Sequence, residues 1–139
     1  MTGTSEQAKR TARAFYESYA GRDLDASFER YIASDLINHG MGGAYDRATW
    51  LAFEKTALAA FPDLQVEVLD QVAEGDKVAT RWRLGGAHTG AEFAGVPARG
   101  NTAFIHATAV DRVADGQIVE HWVDLDFTAW VQALAADPS

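Results

Sequence analysis

The C-terminal segment Thr102–Asp126 reads TAFIHATAVDRVADGQIVEHWVDLD. Apolar and polar side chains alternate on both sides of its centre, as they do in strands that bury one face. Asp115-Gly116 at the centre indicates a two-residue hairpin turn, because aspartate and glycine tolerate the positive φ angles that such turns need. The segment therefore predicts two antiparallel strands, Thr102–Val113 and Ile118–Asp126.

A second hairpin precedes this one. Valines alternate with polar residues in Leu64–Val72, and Val78–Leu84 returns after the turn signal Glu74-Gly75-Asp76-Lys77. Residues 85–100, between the two hairpins, contain five glycines. Such a segment is not expected to pack a core, and a loop of this length in a compact domain is usually functional. We predict that it forms a mouth or lid.

The N-terminal half has helical periodicity. A second helix is predicted from the N-cap Asp23, and a third from the N-cap Asp46 to Pro62. Asn38–Gly43 separates them as a glycine-rich turn, and Phe127–Ala136 is predicted as a short final helix. The first helix carries one apolar stripe, made by Ala8, Ala12, Phe15, Tyr16 and Tyr19.

Helices that precede an antiparallel sheet are typical of an α+β domain. We predict three N-terminal helices packed into a strongly curved antiparallel sheet, which forms a cone with an internal pocket, an α+β barrel. The chain of 139 residues is long enough for one domain and too short for two, so residues 1–139 are expected to form a single domain.

The composition argues against several classes of function. Lys and Arg number 12 against 20 Asp and Glu, and this net charge of −8 makes nucleic acid and membrane surfaces poor partners. Without cysteine, the chain has no disulfides, thiolate metal ligands or cysteine nucleophiles. No apolar run approaches the roughly 20 residues of a membrane span, and the N-terminus lacks the features of a signal peptide. We therefore expect a cytoplasmic protein.

Two of the four histidines lie in the last hairpin, and histidine is the side chain that exchanges protons near neutral pH. If Asp115-Gly116 is the whole hairpin loop, His106 opposes Leu125 and His121 opposes Val110. This pairing puts both histidines on one face of the sheet, about 13 Å apart along the strands. There they would flank a fused-ring substrate, unless each simply satisfies a backbone carbonyl. A β-bulge would break this parity.

Other side chains are candidates for ligand contacts. Asn38 and His39 are either turn residues or hydrogen-bonding groups at the pocket mouth. On the last strand, Val119, Val123 and Leu125 are predicted to face inward with His121. The H-x-E and H-E-x-x-H spacings of metal sites are missing, so no metal is predicted. The predicted substrate-binding residues are Tyr16, Asn38, His39, Trp82, His88, Phe93 and Phe104.

Eight short segments carry a family resemblance, in this order: AFYE at 14–17, GRDLD at 21–25, NHG at 38–40, FPDLQV at 61–66, EGDKV at 74–78, HTG at 88–90, FAGVP at 93–97 and DGQIVEHW at 115–122. Together they resemble the SnoaL-like polyketide cyclase family, whose cone-shaped fold is shared with ketosteroid isomerase and nuclear transport factor two. The resemblance spans nearly the whole chain.

The resemblance implies a cofactor-free aldol cyclisation of an aromatic polyketide ester. In the family, an acid/base aspartate on the last long strand and a nearby histidine handle the proton transfer. His106 takes the place of that histidine, and the aspartate position falls at His121 or at Asp124. We expect His121 to remove the acidic proton while His106 and Asn38 donate hydrogen bonds to the developing oxyanions.

Two alternatives remain open. Relatives of the same fold are linked to hydroxylation of polyketides, so the protein would then be a hydroxylase that works with a partner reductase. The other alternative is a binder of a hydrophobic aromatic ligand without turnover. The resemblance also implies a homodimer, which would cover Trp122, Ile105 and Ala107 on the predicted outer face of the sheet.

Overall fold

The structure, a computed structural model, describes residues 2–40 and 42–137. Met41 of the predicted glycine turn lies outside the described residues, as do residues 1, 138 and 139 of the expected domain. In chain order the elements are α1 (Thr2–Glu17), a 3₁₀ helix (Ser18–Gly21), α2 (Leu24–Tyr31), β1 (Ile32–His39), α3 (Arg47–Ala60), β2 (Gln65–Glu74), β3 (Lys77–Ala87), β4 (Thr102–Ala114), β5 (Gln117–Leu125) and α4 (Phe127–Ala135).

The five described strands form one open sheet in the order β1-β5-β4-β3-β2. Strands β2 to β5 are antiparallel, whereas β1 pairs with β5 in parallel. The predicted α+β class, with helices against the sheet, is confirmed. The sheet is mixed rather than wholly antiparallel, and it does not close into a barrel, since β1 and β2 remain its edges.

Strand β1 is absent from the sequence-based prediction, which continued from the second helix directly to the turn at Asn38. Its buried and exposed residues do not alternate regularly. Its partner β5 lies far along the chain, and the register shifts between Ile32 and Ile37. A short strand without period-two patterning gives little local signal. Its consequence is that Asn38 sits beside His121 in the sheet.

The helix starts agree with their predicted caps. The Asp23 carboxylate accepts a hydrogen bond from the Ala26 backbone at 3.0 Å, and Asp46 accepts one from Thr49 at 2.8 Å. Each satisfies a backbone N–H group that the first helical turn leaves free. The stripe predicted on the first helix is buried against the rest of the core; four of its residues lie on α1, and Tyr19 lies on the 3₁₀ helix that follows. No helix in the described part of the chain has both the length and the apolar character that crossing a membrane requires.

The β4–β5 hairpin contains a bulge that changes which side chains face inward. Val113 pairs with Ile118, but the next pair is Arg112 with Glu120, so Val119 is an extra residue on β5. From there on, each β4 residue opposes a residue one position further along β5 than a regular hairpin would give. Asp111, instead of Val110, therefore lies opposite His121.

This bulge contradicts three sequence-based expectations. His106 does not share a face with His121; its side chain is exposed, whereas His121 is buried. Ile105 and Ala107, expected on the outer face, are buried instead. The exposed apolar surface on which the expected homodimer was argued is therefore smaller than predicted.

The glycine-rich segment packs more tightly than predicted. Phe93 is buried, and its ring centroid lies 5.4 Å from that of Phe61 and 5.2 Å from that of Trp130. A Cβ atom on Gly90 would lie 2.1 Å from the Ala59 carbonyl oxygen, so only glycine allows this approach to α3. The expectation that the segment cannot pack a core is wrong: it packs against the end of α3.

Candidate functional site

A cavity of about 450 Å³ lies between the sheet and the helices. Its wall is largely aromatic and aliphatic, with few polar groups, which is typical of a site for an organic molecule. The lining residues are Tyr16, Tyr19, Asn38, Gly40, Tyr45, Thr49, Trp50, Phe53, Glu54, Ala57, Val66, Trp82, Leu84, Ile105, His121, Val123, Leu125, Phe127 and Trp130.

A buried chain of hydrogen bonds runs from the sheet to α1 at the cavity wall. The His121 Nδ1 atom lies 2.6 Å from Asp111 Oδ1, and the Tyr16 hydroxyl donates to Asp111 Oδ2, also at 2.6 Å. Asp111 is 0% and His121 3% exposed. Each oxygen of the buried carboxylate thus has a partner, as a buried charge requires. The bulge at Val119 makes this arrangement possible, because it sets Asp111 opposite His121.

The electrostatics of this chain assign its protons. Burial, followed by the charge of Asp111, raises the pKa of Tyr16 well above its usual value, so the hydroxyl keeps its proton and donates a hydrogen bond to Asp111. A carboxylate only accepts hydrogen bonds, so in its neutral form a His121 ring bonded to Asp111 carries its proton on Nδ1. The lone pair on Nε2 is then free to act as a base toward a molecule in the cavity.

Trp50 connects His121 with a second acidic side chain. Its indole stacks on the His121 ring, with centroids 4.4 Å apart and planes 24° apart. The same indole donates its N–H group to Glu54 Oε1 at 3.0 Å. Burial raises the pKa of Glu54, and burial followed by the neighbouring Glu54 raises the pKa of Tyr19 well above its usual value. The Glu54 carboxyl and the Tyr19 hydroxyl therefore lie near the N–H edge of Trp50, and His121 lies on the face of the same indole.

Asn38 adds a polar group next to the histidine. It pairs with His121 across the parallel strands, lines the cavity and is 7% exposed. Its Oδ1 atom accepts no hydrogen bond from any residue within the described ranges. A Cβ atom on Gly40 would come within 3.0 Å of that oxygen and 2.9 Å of Val123. The glycine thus leaves room for the amide.

Four of the nine predicted site residues lie at the cavity: Tyr16, Asn38, Trp82 and His121. The Trp82 indole N–H lies beside the Tyr16 hydroxyl and makes no well-aligned hydrogen bond to a described residue. Val123 and Leu125 also face the cavity as predicted, whereas Val119 is the bulge residue. The structure thus brings together part of the predicted site.

The other five predicted residues do not line the cavity. The His39 ring stacks on Trp122, with ring centroids 5.1 Å apart, and its Nε2 atom is hydrogen-bonded to Glu120 Oε2 at 2.7 Å, on the outer side of the sheet. Phe104 lies under the Arg83 guanidinium at 3.8 Å.

His88 is fully buried below the loop, where its Nε2 contacts the Ala91 carbonyl at 2.7 Å. Phe93 packs in the aromatic cluster of the loop, and His106 is exposed. The predictions for His106 and Phe104 assumed a regular hairpin, and those for His88 and Phe93 assumed an open loop. The prediction for His39 assumed a turn after the second helix, where the structure has strand β1.

Sequence reasoning missed Asp111, Glu54, Trp50 and Tyr19. Asp111 had a detectable signal, because it is the one charged residue among the odd-numbered positions from 103 to 113, which are otherwise apolar. Glu54 also had one, since it lies on the helix face of Trp50 and Ala57 at a spacing of about one turn. No cluster of three or more potential metal ligands occurs within residues 2–40 and 42–137.

Comparison with solved structures identifies the same fold elsewhere. A proposed SnoaL-like polyketide cyclase from Jannaschia sp. CCS1 is 25% identical, has a TM-score of 0.83, and aligns over 96% of this chain and 95% of its own. IdmH, a proposed polyketide cyclase from Streptomyces antibioticus, is 34% identical with a TM-score of 0.80, over 94% of this chain and 99% of IdmH.

AclR, a proposed hydroxylase from Streptomyces galilaeus, is 27% identical with a TM-score of 0.82, over 93% of this chain and 96% of AclR. No curated protein matches the sequence. The family model of the SnoaL-like polyketide cyclases matches residues 9–134, which include every residue that lines the cavity. This match confirms the resemblance, and the chain belongs to the SnoaL-like polyketide cyclase family.

Proposed function

We propose that the protein catalyses the intramolecular aldol cyclisation of an aromatic polyketide ester, by acid/base chemistry without a cofactor, in the apolar cavity. The observation that carries the proposal is the buried Asp111–His121 pair, whose imidazole lines that cavity. The similarity to proposed polyketide cyclases, including IdmH at 34% identity, supports the same substrate class.

His121 acts as the base in this proposal. Asp111 holds the ring proton on Nδ1, so Nε2 takes the proton from the acidic carbon between two carbonyls of the substrate. The resulting imidazolium is stabilised by the Asp111 carboxylate at 2.6 Å and by the face of Trp50 at 4.4 Å. General base catalysis of this kind contributes about 10²–10⁴-fold to the rate.

Asn38 stabilises the enolate that this step forms. The Asn38 amide is the side chain beside His121 in the sheet, and it lines the same cavity. Donors that are already oriented in an apolar site are worth more than in water, since no solvent must reorganise. The aromatic wall binds the flat, conjugated part of the substrate.

The proposal is tested with His121→Gln and, as a matched control on the same hairpin, His106→Gln. A linear polyketide ester is incubated with each purified variant, and the cyclised product is followed by liquid chromatography. We expect His121→Gln to slow cyclisation by about 10²–10⁴-fold and the exposed His106→Gln to match the wild type. Wild-type turnover by His121→Gln would refute the role of the histidine.

A second candidate function is hydroxylation, which the similarity to the proposed hydroxylase AclR favours. In that case the protein works with a partner reductase and consumes oxygen. Parallel incubations with and without oxygen separate the two reactions, because aldol closure is indifferent to oxygen. A chain that binds the ester tightly and turns it over under neither condition is a binding protein instead.

A further inference from the structure

Glu54 is the acidic group of the cavity that the mechanism above leaves unused. It lies on α3, lines the cavity, and accepts the Trp50 indole N–H at 3.0 Å. The Tyr19 hydroxyl, from the 3₁₀ helix that follows α1, lies beside its carboxyl group. The Glu54 side chain is half-buried at the cavity wall, where its aromatic neighbours limit the access of water to the carboxyl group. Its position at an organic-ligand cavity therefore needs a chemical explanation.

The contacts of Trp50 place Glu54 close to the base. One face of the indole stacks on His121, with ring centroids 4.4 Å apart, and the N–H edge of the same indole points at Glu54. The two titratable side chains are thus separated by one indole ring. Both line the same cavity, so a single bound molecule is able to reach both.

We propose that Glu54 is a second catalytic residue, the proton donor to the carbonyl oxygen that becomes a hydroxyl when the ring closes. This inference rests on the aldol function proposed above and deepens it. It requires a substrate whose electrophilic carbonyl reaches α3 while its acidic carbon lies at His121.

The environment of Glu54 supports its role as a proton donor. Burial raises the pKa of this carboxyl group, which favours the protonated acid. A positive charge on His121 acts in the opposite direction and lowers the pKa of Glu54. Proton uptake by the base thus makes the acid a better donor at the stage when the reaction needs it.

The step balances without a further reactant. His121 Nε2 takes the proton from the acidic carbon, and the C–H electron pair becomes the enolate. The enolate carbon forms the new C–C bond to the carbonyl carbon, whose π pair moves to oxygen. That oxygen takes the Glu54 proton and becomes a hydroxyl. Transfer of the proton from the imidazolium back to the carboxylate, through solvent after product release, restores the enzyme.

A purely structural role for Glu54, holding Trp50 in place, is separated from catalysis by the choice of variant. Glu54→Gln keeps a carbonyl oxygen that can accept the Trp50 N–H group, but it has no transferable proton. Glu67→Gln, on the exposed side of β2, is the matched control for the loss of one carboxylate. His121→Gln reports on the base.

Two readouts test the proposal. One is cyclisation of the linear ester; the other is deuterium uptake from D₂O, above the uncatalysed rate, by an analogue with CH₂ in place of the electrophilic carbonyl. We expect Glu54→Gln to slow cyclisation by about 10²–10⁴-fold and to leave deuterium uptake unchanged. His121→Gln should lose both, and Glu67→Gln neither.

The outcomes distinguish the two proposals. Full cyclisation by Glu54→Gln, with deuterium uptake still dependent on His121, overturns the role of Glu54 alone. Deuterium uptake that is independent of His121 overturns the proposed function itself. Should Glu54→Gln not fold, Glu54→Ala is assayed with added acetic acid: restored cyclisation supports a missing proton donor, and no restoration in a folded variant refutes it.

Discussion

The half-buried carboxyl group of Glu54 predicts that the stability of the protein falls as the pH rises. In the folded protein, burial raises the pKa of Glu54 above its ordinary value of 4.5, whereas the unfolded chain titrates near that value. Below the ordinary pKa both states hold the proton, and the full stability is present. As the pH rises from the ordinary pKa through the raised pKa, Glu54 ionises in the unfolded chain before it ionises in the folded protein. The free energy of unfolding therefore falls over this range.

Glu54→Gln removes this titration while keeping a partner for the Trp50 N–H group, which lies 3.0 Å from the present carboxyl oxygen. The variant should therefore gain stability relative to the wild type as the pH rises from about 4 toward 8. Each unit by which the pKa is raised corresponds to about 1.4 kcal/mol in the free energy of unfolding. For a domain of this size, that is roughly 5 °C in Tm.

Urea unfolding followed by circular dichroism at several pH values measures the effect for both proteins. The difference in unfolding free energy should be near its minimum at pH 4 and should reach a plateau above the raised pKa. Glu67→Gln should show no such gain. A difference between wild type and Glu54→Gln that is the same at pH 4 and pH 8 would refute the reasoning that the folded protein resists ionisation of Glu54.

Three further predictions concern single contacts. Tyr16→Phe removes one partner of the buried Asp111 carboxylate, now 2.6 Å away, and should lower the unfolding free energy by about 1–3 kcal/mol in urea titrations; an unchanged midpoint would contradict the buried hydrogen bond. Gly90→Ala forces a Cβ atom against the Ala59 carbonyl, and we expect a loss of about 1–3 kcal/mol by the same method; a wild-type value would mean that the loop does not pack on α3. Arg81→Gln breaks the exposed pair with Asp70 and should leave Tm in calorimetry nearly unchanged, because solvent screens such pairs; a large drop would show that the pair is not screened.

The helices and hairpins were predictable because their signals are local. Asp23 and Asp46 cap the helices that follow them, and the Asp115-Gly116 turn closes the last hairpin. Each of these features depends on residues a few positions apart. The apolar stripe of α1 and the 3₁₀ helix after it is of the same kind, and all of its members are buried.

The parts that sequence reasoning missed depend on contacts between distant residues. Strand β1 exists because it pairs with β5, and its own pattern does not alternate. The bulge at Val119 leaves no mark in the alternation of the hairpin, yet it reverses the prediction for His106. The candidate site was therefore half predictable: the sequence placed His121 in the pocket, but Asp111, which bonds it, and Glu54, which lines the same cavity, come from other elements.

The extra residue at Val119 also governs how this cavity can be re-engineered. Because of this extra residue, odd-numbered positions on β4 and, beyond the bulge, on β5 face the cavity, as Ile105, His121 and Val123 do. A mutagenesis library built on a regular hairpin would randomise the wrong half of one strand. Chimeras that exchange a single strand with a relative lacking the insertion would turn the imidazole away from the carboxylate, so the hairpin should be transplanted as one unit.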